Sequence, residues 1–242
     1  MNFFEKLRSG NDITIEFVGD SITYGCQYCT IEETFPAVFA RLVAEKFSDA
    51  TVRRYDGYYE SELGTLCGFE DPVYVSNGGK RHIDIIKNGI GGNTVRRAIN
   101  RIDDFTNEMP NGKRVDLMIF MYGINDAMRS DPQKFTDIDT FEKNYNELID
   151  LVMSSENTDI AIMTPTYINV RSYSERVAKV SNERGAILVD QYAMWAAHYV
   201  DGVENHGQGD WLSNPKDACH TSPKGAEAIG RLAFDTIFCD NK

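Results

Sequence analysis

Ile13-Thr14-Ile15-Glu16-Phe17-Val18-Gly19-Asp20-Ser21 carries the decisive pattern. Its first six residues are rich in β-branched and aromatic side chains, and Gly19 and Asp20 close the run. A short apolar run bounded by turn residues reads as a buried strand. Similar runs recur at 82–87, 115–121, 159–163 and 186–190. Between them the apolar residues fall into helical stripes. Phe35, Val38, Phe39, Leu42, Val43 and Phe47 form one behind the cap Thr34. Val95, Ala98, Ile99, Ile102 and Phe105 form a second behind Asn93 or Thr94, and Phe141, Tyr145, Leu148, Ile149 and Val152 a third. A fourth helix is expected over 171–184 and a last one over about 222–238, with Pro223 in its first turn. This alternation predicts a parallel sheet covered by helices on both faces, a three-layer α/β/α sandwich. Functional groups of such a sheet gather beyond the carboxyl ends of its strands.

One segment breaks the rhythm. Residues 51–81 hold Tyr55, Tyr58, Tyr59, Phe69 and Tyr74 among glycines at 57, 64, 68, 78 and 79. The stretches 51–59 and 72–76 are expected to pair as a hairpin insertion. A second irregular loop, 201–216, carries His206 and Trp211. The 242 residues suit one α/β domain spanning 1–242 with a full core.

Bulk properties exclude several function classes. Lys and Arg number 25 against 37 Asp and Glu, a formal charge of −12. Such a field repels nucleic acid and anionic membrane surfaces. No window is long and apolar enough to span a membrane, and the first residues lack the apolar core of a signal peptide. A cytoplasmic location is the resulting expectation. The five cysteines have no framework spacing and read as reduced thiols.

Four short segments hold candidate chemistry, each placed where a sheet would present it. They are Gly19-Asp20-Ser21-Ile22, Asn88-Gly89-Ile90-Gly91-Gly92-Asn93-Thr94, Tyr122-Gly123-Ile124-Asn125-Asp126 and Asp217-Ala218-Cys219-His220. Singly each has a plain structural reading: a helix cap, a tight turn, a helix start, a surface hydrogen-bonded pair. Together they supply serine, histidine and aspartate, the parts of an activated nucleophile. Asp217 and His220 are three residues apart, a spacing expected to let them meet across one turn.

In this order the segments resemble the four blocks of the SGNH hydrolase superfamily, the GDSL-type esterases and lipases. The resemblance spans residues 19 to 220. It implies a five-stranded parallel sheet in the flavodoxin-like order 2-1-3-4-5. It implies Ser21 as nucleophile, His220 as general base and then acid, and Asp217 as the group that orients His220. The Ser21 and Gly92 backbone N–H groups and the Asn125 side-chain amide would form the oxyanion hole. Position suggests that Asp20, Tyr24, Tyr122 and Trp211 border the substrate cleft. The fourth block departs from the common His-Pro ending: here His220-Thr221-Ser222-Pro223 delays the proline by two places.

Rival chemistries fare worse. An α/β-hydrolase elbow needs a glycine where Thr23 stands. A dinucleotide loop lacks its third glycine, because Thr94 occupies that place. Cys26 and Cys29 have no second pair, and the four histidines are scattered, so no metal and no cofactor are expected. The two cysteines are expected to pack beside the nucleophile loop. The expected function is a serine esterase for short acyl esters, acetyl foremost, with an acetylated sugar as candidate partner. The alternatives are a lysophospholipase or acyl-thioesterase with the same machinery, and a catalytically silent binding domain.

Overall fold

The computed structural model describes residues 1–25, 29–60, 64–107, 109–155, 158–166, 170–198, 211–214 and 217–239. The side chains of 155, 213, 214, 217 and 218 lie outside that description. The chain opens with α1 (Phe3–Arg8), β1 (Ile13–Gly19), the one-turn helix α2 (Ser21–Tyr24) and α3 (Phe35–Lys46). Next come β2 (Ala50–Glu60), β3 (Thr65–Phe69), β4 (Val73–Asn77), β5 (Arg81–Gly89), α4 (Val95–Asn100) and α5 (Asp103–Thr106). The second half holds β6 (Leu117–Met121), α6 (Ile138–Ser155), β7 (Asp159–Met163), α7 (Arg171–Arg184), β8 (Ile187–Val189) and α8 (Gln191–His198). It ends with β9 (Leu212–Asn214), β10 (Asp217–Thr221) and α9 (Pro223–Phe238).

The five expected strands are β1, β5, β6, β7 and β8, and they stand side by side as β5-β1-β6-β7-β8, all parallel. This is the expected order, within a larger sheet. β2 continues it in parallel beyond β5, and β3 and β4 pair antiparallel with the two halves of β2. The segment 51–81 is therefore a hairpin, as expected, and also an extension of the main sheet. Helices α3 and α9 pack together on one face, and α4, α6 and α7 cover the other. Phe17 of β1 meets Phe35 and Phe39 of α3 edge-on at 5.4 and 5.0 Å, and Phe39 meets Phe238 of α9 at 5.7 Å. Each such ring pair adds about 0.5–1.5 kcal/mol to plain burial.

Polar residues inside the sheet are tied to one another. Glu16 interrupts the apolar run of β1, yet it is fully buried. It accepts a hydrogen bond from Asn88 Nδ2 at 2.9 Å. Arg101 Nη1 donates to Asn88 Oδ1 at 2.7 Å and its Nη2 to the Asn88 carbonyl at 3.2 Å. The expected helix over 95–105 consequently breaks in two, because Arg101 turns inward between α4 and α5. Among the described residues, no helix is long and apolar enough to cross a membrane.

Candidate active site

β1 ends at Gly19, and the chain turns at once into α2. Asp20 is its N-cap, accepting from Ile22 N at 2.9 Å, so Ser21 is the first helical residue. An N–H at that position has no partner within its own helix. The turn is compact because Gly89, at the end of β5, presses against it. A Cβ on Gly89 would lie 2.4 Å from Tyr24 N and 2.9 Å from the Asp20 carbonyl.

β10 carries His220 to this turn from the far end of the chain. His220 Nε2 lies 2.9 Å from Ser21 Oγ, 199 positions away in sequence. Its Nδ1 has Cys219 Sγ at 3.5 Å. The segment is a strand where a turn was expected. Its pairing with β9 shifts register between Asp217 and Thr221, whereas a regular strand would put residues three apart on opposite faces. The side chain of Asp217 lies outside the described residues. Ser222 then caps α9, accepting from Gly225 N at 3.2 Å, and Pro223 opens that helix as expected.

The other two segments meet beside the serine turn. Asn125 Nδ2 donates to the Asn93 carbonyl at 3.0 Å, which fixes the amide plane and uses one of its two N–H groups. Asp126, fully buried, accepts from Val95 N at 3.3 and 3.4 Å. Both side chains thus bind the loop after β6 to the start of α4. Burial pushes the Asp126 carboxyl up to about 7, and it pushes Asp20 to about 7 as well, against the hydrogen bond from Ile22 and the attraction of His220. Gly92 takes a left-handed φ of +72°. A Cβ there would meet the Lys134 side chain, with Cε at 3.3 Å, so backbone conformation is the stronger reason for glycine.

The residues expected to border a cleft separate into two groups. Tyr24 is half-buried, with its ring edge-on to Tyr59 at 4.7 Å. Trp211 stacks on His198 at 3.6 Å and packs edge-on against Trp195, and its carbonyl accepts from Ser222 N. Asp20 and Tyr122 are buried, at 1% and 0% exposure. The Tyr122 hydroxyl accepts from Arg101 Nη2 at 3.3 Å, and burial pushes it up to about 12. These two build the floor beneath the serine.

Cys29 sits beside the site, with Sγ 3.6 Å from the Thr221 carbonyl, while Cys26 falls outside the described residues. Tyr59 enters the sequence reading only as part of the aromatic insertion, and Lys87, whose Nζ donates to the Tyr24 carbonyl at 3.2 Å, does not enter it. The signal for Lys87 was available: a charge inside Ile85-Ile86-Lys87, on a strand expected to be buried. Cavity size does not locate the chemistry. A space of about 690 Å³ lined by Met109, Lys113, Val115 and Met118 lies at the amino end of β6, away from Ser21. Among the described residues, no group of three or more His, Cys, Asp or Glu could hold a metal ion.

The GDSL-like lipase/acylhydrolase family matches residues 17–228. No curated protein matches the sequence. Among solved structures, the acetyl xylan esterase AlAXEase is similar with a TM-score of 0.64 and 20% identity, over 93% of this chain and 100% of that one. A catalytic mutant of Axe2, an acetylxylan esterase from Geobacillus stearothermophilus, gives 0.65 and 19%, over 95% of each chain. LAE5, described as an alpha/beta hydrolase enzyme from the metagenome of Lake Arreo, Spain, gives 0.65 and 17%, over 96% and 98%. At these identities the structural likeness is one of fold, and the family match carries the assignment. The chain belongs to the GDSL-like lipase/acylhydrolase family and is a carboxylic ester hydrolase.

Proposed function

We propose that this chain is a serine esterase that removes short acyl groups, acetyl foremost, from a sugar hydroxyl. The carrying observation is the 2.9 Å contact between Ser21 Oγ and His220 Nε2 at the carboxyl end of the parallel sheet. Residues 1–242 act as one catalytic unit, with 51–81 as its insertion.

In this reading His220 Nε2 takes the Ser21 proton as Oγ attacks the ester carbonyl carbon. The carbonyl oxygen becomes an oxyanion, held by the N–H groups of Ser21 and Gly92 and by the second N–H of Asn125 Nδ2. Asp217 orients the imidazole and stabilises its charged form. Collapse expels the sugar alkoxide, which receives the proton from His220, and leaves an acyl-Ser21. Water, deprotonated by His220, attacks that ester, and acetate leaves as Ser21 regains its proton.

Two observations support the acetyl-sugar class. The fold neighbours AlAXEase and Axe2 are described as acetyl xylan esterases. Tyr24 and Tyr59 form an aromatic pair beside the serine turn, and aromatic rings suit the apolar faces of sugars. The test is a 4-nitrophenyl ester series from acetate through butyrate and octanoate to palmitate, extended to acetylated xylose. Acetate should have the highest kcat/KM, and Ser21→Ala should lose roughly 10³-fold or more in kcat while staying folded. A rise in kcat/KM beyond octanoate makes the enzyme a lipase or acyl-thioesterase. Near-normal turnover by Ser21→Ala removes the nucleophile assignment.

A further inference from the structure

Four charged groups form a chain beneath one side of the serine turn. Arg54 and Asp56 of β2 and Lys87 of β5 are each about 2% exposed. Arg54 Nε donates to Asp56 Oδ2 at 2.8 Å. Its two Nη atoms grip the Glu32 carboxylate at 2.8 and 2.9 Å. Lys87 Nζ faces the other Asp56 oxygen at 3.4 Å, an ion pair rather than a hydrogen bond. Lys87 also donates to the Tyr24 carbonyl at 3.2 Å and lies 5.1 Å from the centre of the Tyr24 ring.

Buried charges are costly even when paired, and an apolar set of the same volume is often at least as stable. Stability alone therefore gives a weak reason for two cations and an anion in a sheet interior. Their placement gives a stronger one. Tyr24 is the last residue of α2, whose first residue is Ser21. Its carbonyl is one of the helix-end acceptors left without a partner inside the helix, and a cation is favoured there. Glu32 lies in the short turn Ile31–Glu33 that precedes α3. The network thus grips the chain after the nucleophile at two points, Tyr24 and Glu32, and fastens them to β2 and β5.

We propose that Lys87, held by Asp56 and Arg54, is a positioning residue for the Ser21 turn. It acts through the Tyr24 carbonyl and touches neither substrate nor reacting atoms. In consequence β2, and with it the insertion at 51–81, contributes to catalysis by fixing where Ser21 stands relative to His220. A serine misplaced by about 1 Å loses on the order of 10²-fold in rate, while ground-state binding is largely kept.

The proposal rests on Ser21 being the nucleophile, and the experiment separates the two. Wild type, Lys87→Met and Lys87→Arg are compared for kcat and KM on 4-nitrophenyl acetate. Phosphonylation rate by an ethoxy fluorophosphonate and the melting curve are measured on the same samples. Lys87→Met should lose about 10- to 100-fold in kcat with KM within about threefold, and phosphonylation should slow in parallel. Lys87→Arg, which keeps a cation within reach of the Tyr24 carbonyl, should recover part of both rates. Folded Lys87→Met with wild-type kcat overturns the proposal, as does a loss that only tracks the folded fraction. If Lys87→Met does not fold, Glu32→Gln loosens the same network from its exposed end. A loss of about two- to fivefold in kcat is then expected, and an unchanged kcat overturns the proposal. Failure of the nucleophile reading looks different: the fluorophosphonate would leave wild type unlabelled, or label Ser21→Ala equally.

Discussion

Gly89→Ala is a probe of the serine turn that substitutes none of the side chains proposed for catalysis. Gly89 pairs with Gly19 at the end of β5, and its Cα faces the backbone of α2. The added methyl would lie 2.4 Å from Tyr24 N, 2.8 Å from the Thr23 carbonyl carbon and 2.9 Å from the Asp20 carbonyl oxygen. Ordinary contact begins near 3.4 Å, so something must retreat by about 1 Å. β5 is hydrogen-bonded to β1 on one side and β2 on the other, so it is the less able to yield. The single turn of α2 should move, carrying Ser21 away from His220. Overpacking of this kind costs about 1–3 kcal/mol, offset by roughly 0.4–1 kcal/mol from the stiffer unfolded chain. In a chain of this length that net loss, at most about 2.6 kcal/mol, lowers Tm by no more than about 10 °C. The effect on chemistry should be larger, about 10²-fold in kcat for a 1 Å displacement, with KM within about threefold. Steady-state kinetics on 4-nitrophenyl acetate and a thermal melt measure both. Gly89→Ala with kcat within about twofold of wild type would show that α2 is not seated against β5, and would refute the reasoning.

Two further outcomes are expected. Asn125→Ala should lower kcat by about 10²-fold with little change in KM, because an oxyanion donor acts on charge that develops in the transition state. Asn125→Asp should be worse, since a carboxylate would face both the oxyanion and the Asn93 carbonyl; a raised KM with unchanged kcat would make Asn125 a binding group instead. Glu16 supplies a pH test, because burial pushes its carboxyl up to about 8 from an ordinary value of 4.5. The folded state then holds a proton that the unfolded state releases, so the favourable contribution is complete below about pH 4 and is lost as pH rises toward 8. Glu16→Gln keeps an acceptor for Asn88 and should flatten the fall of Tm between pH 5 and 9, raising it at the alkaline end. An unchanged slope of Tm against pH in Glu16→Gln would place the titration elsewhere.

What could be read from the sequence follows from what hydropathy measures. β1, β5, β6, β7 and β8 were legible because their side chains are apolar and both faces of the sheet are covered. β2 is not legible as a core strand in the same way, because Arg53, Arg54 and Asp56 punctuate it. Arg54 and Asp56 are buried and Arg53 is half-buried, and they pair with Glu32, with Lys87 and with Asp84, a pairing invisible along the chain. The break between α4 and α5 has a similar cause, since Arg101 turns inward to serve Asn88. Ser21 and His220 were placed by their motifs, and the structure brings them within hydrogen-bonding distance. Asp20 and Tyr122 lie near Ser21 in the fold but point into the floor, because sequence position fixes the strand end and leaves side-chain direction open.

The span of 199 residues between Ser21 and His220 has a consequence for how the protein is made. A ribosome adding roughly 5–20 residues per second needs on the order of 10–40 s to travel from one to the other. In the proposed mechanism Ser21 waits throughout that interval for His220, the group that would take its proton. β1 and β5 can already stand side by side in the nascent chain, because everything they need has been synthesised. On the proposed mechanism the hydrolytic unit comes into being only when β10 emerges and α9 closes over α3. On the proposed mechanism a growing polypeptide of this kind does not attack esters near the site of translation, and an mRNA cut short before His220 yields a chain without the proposed base.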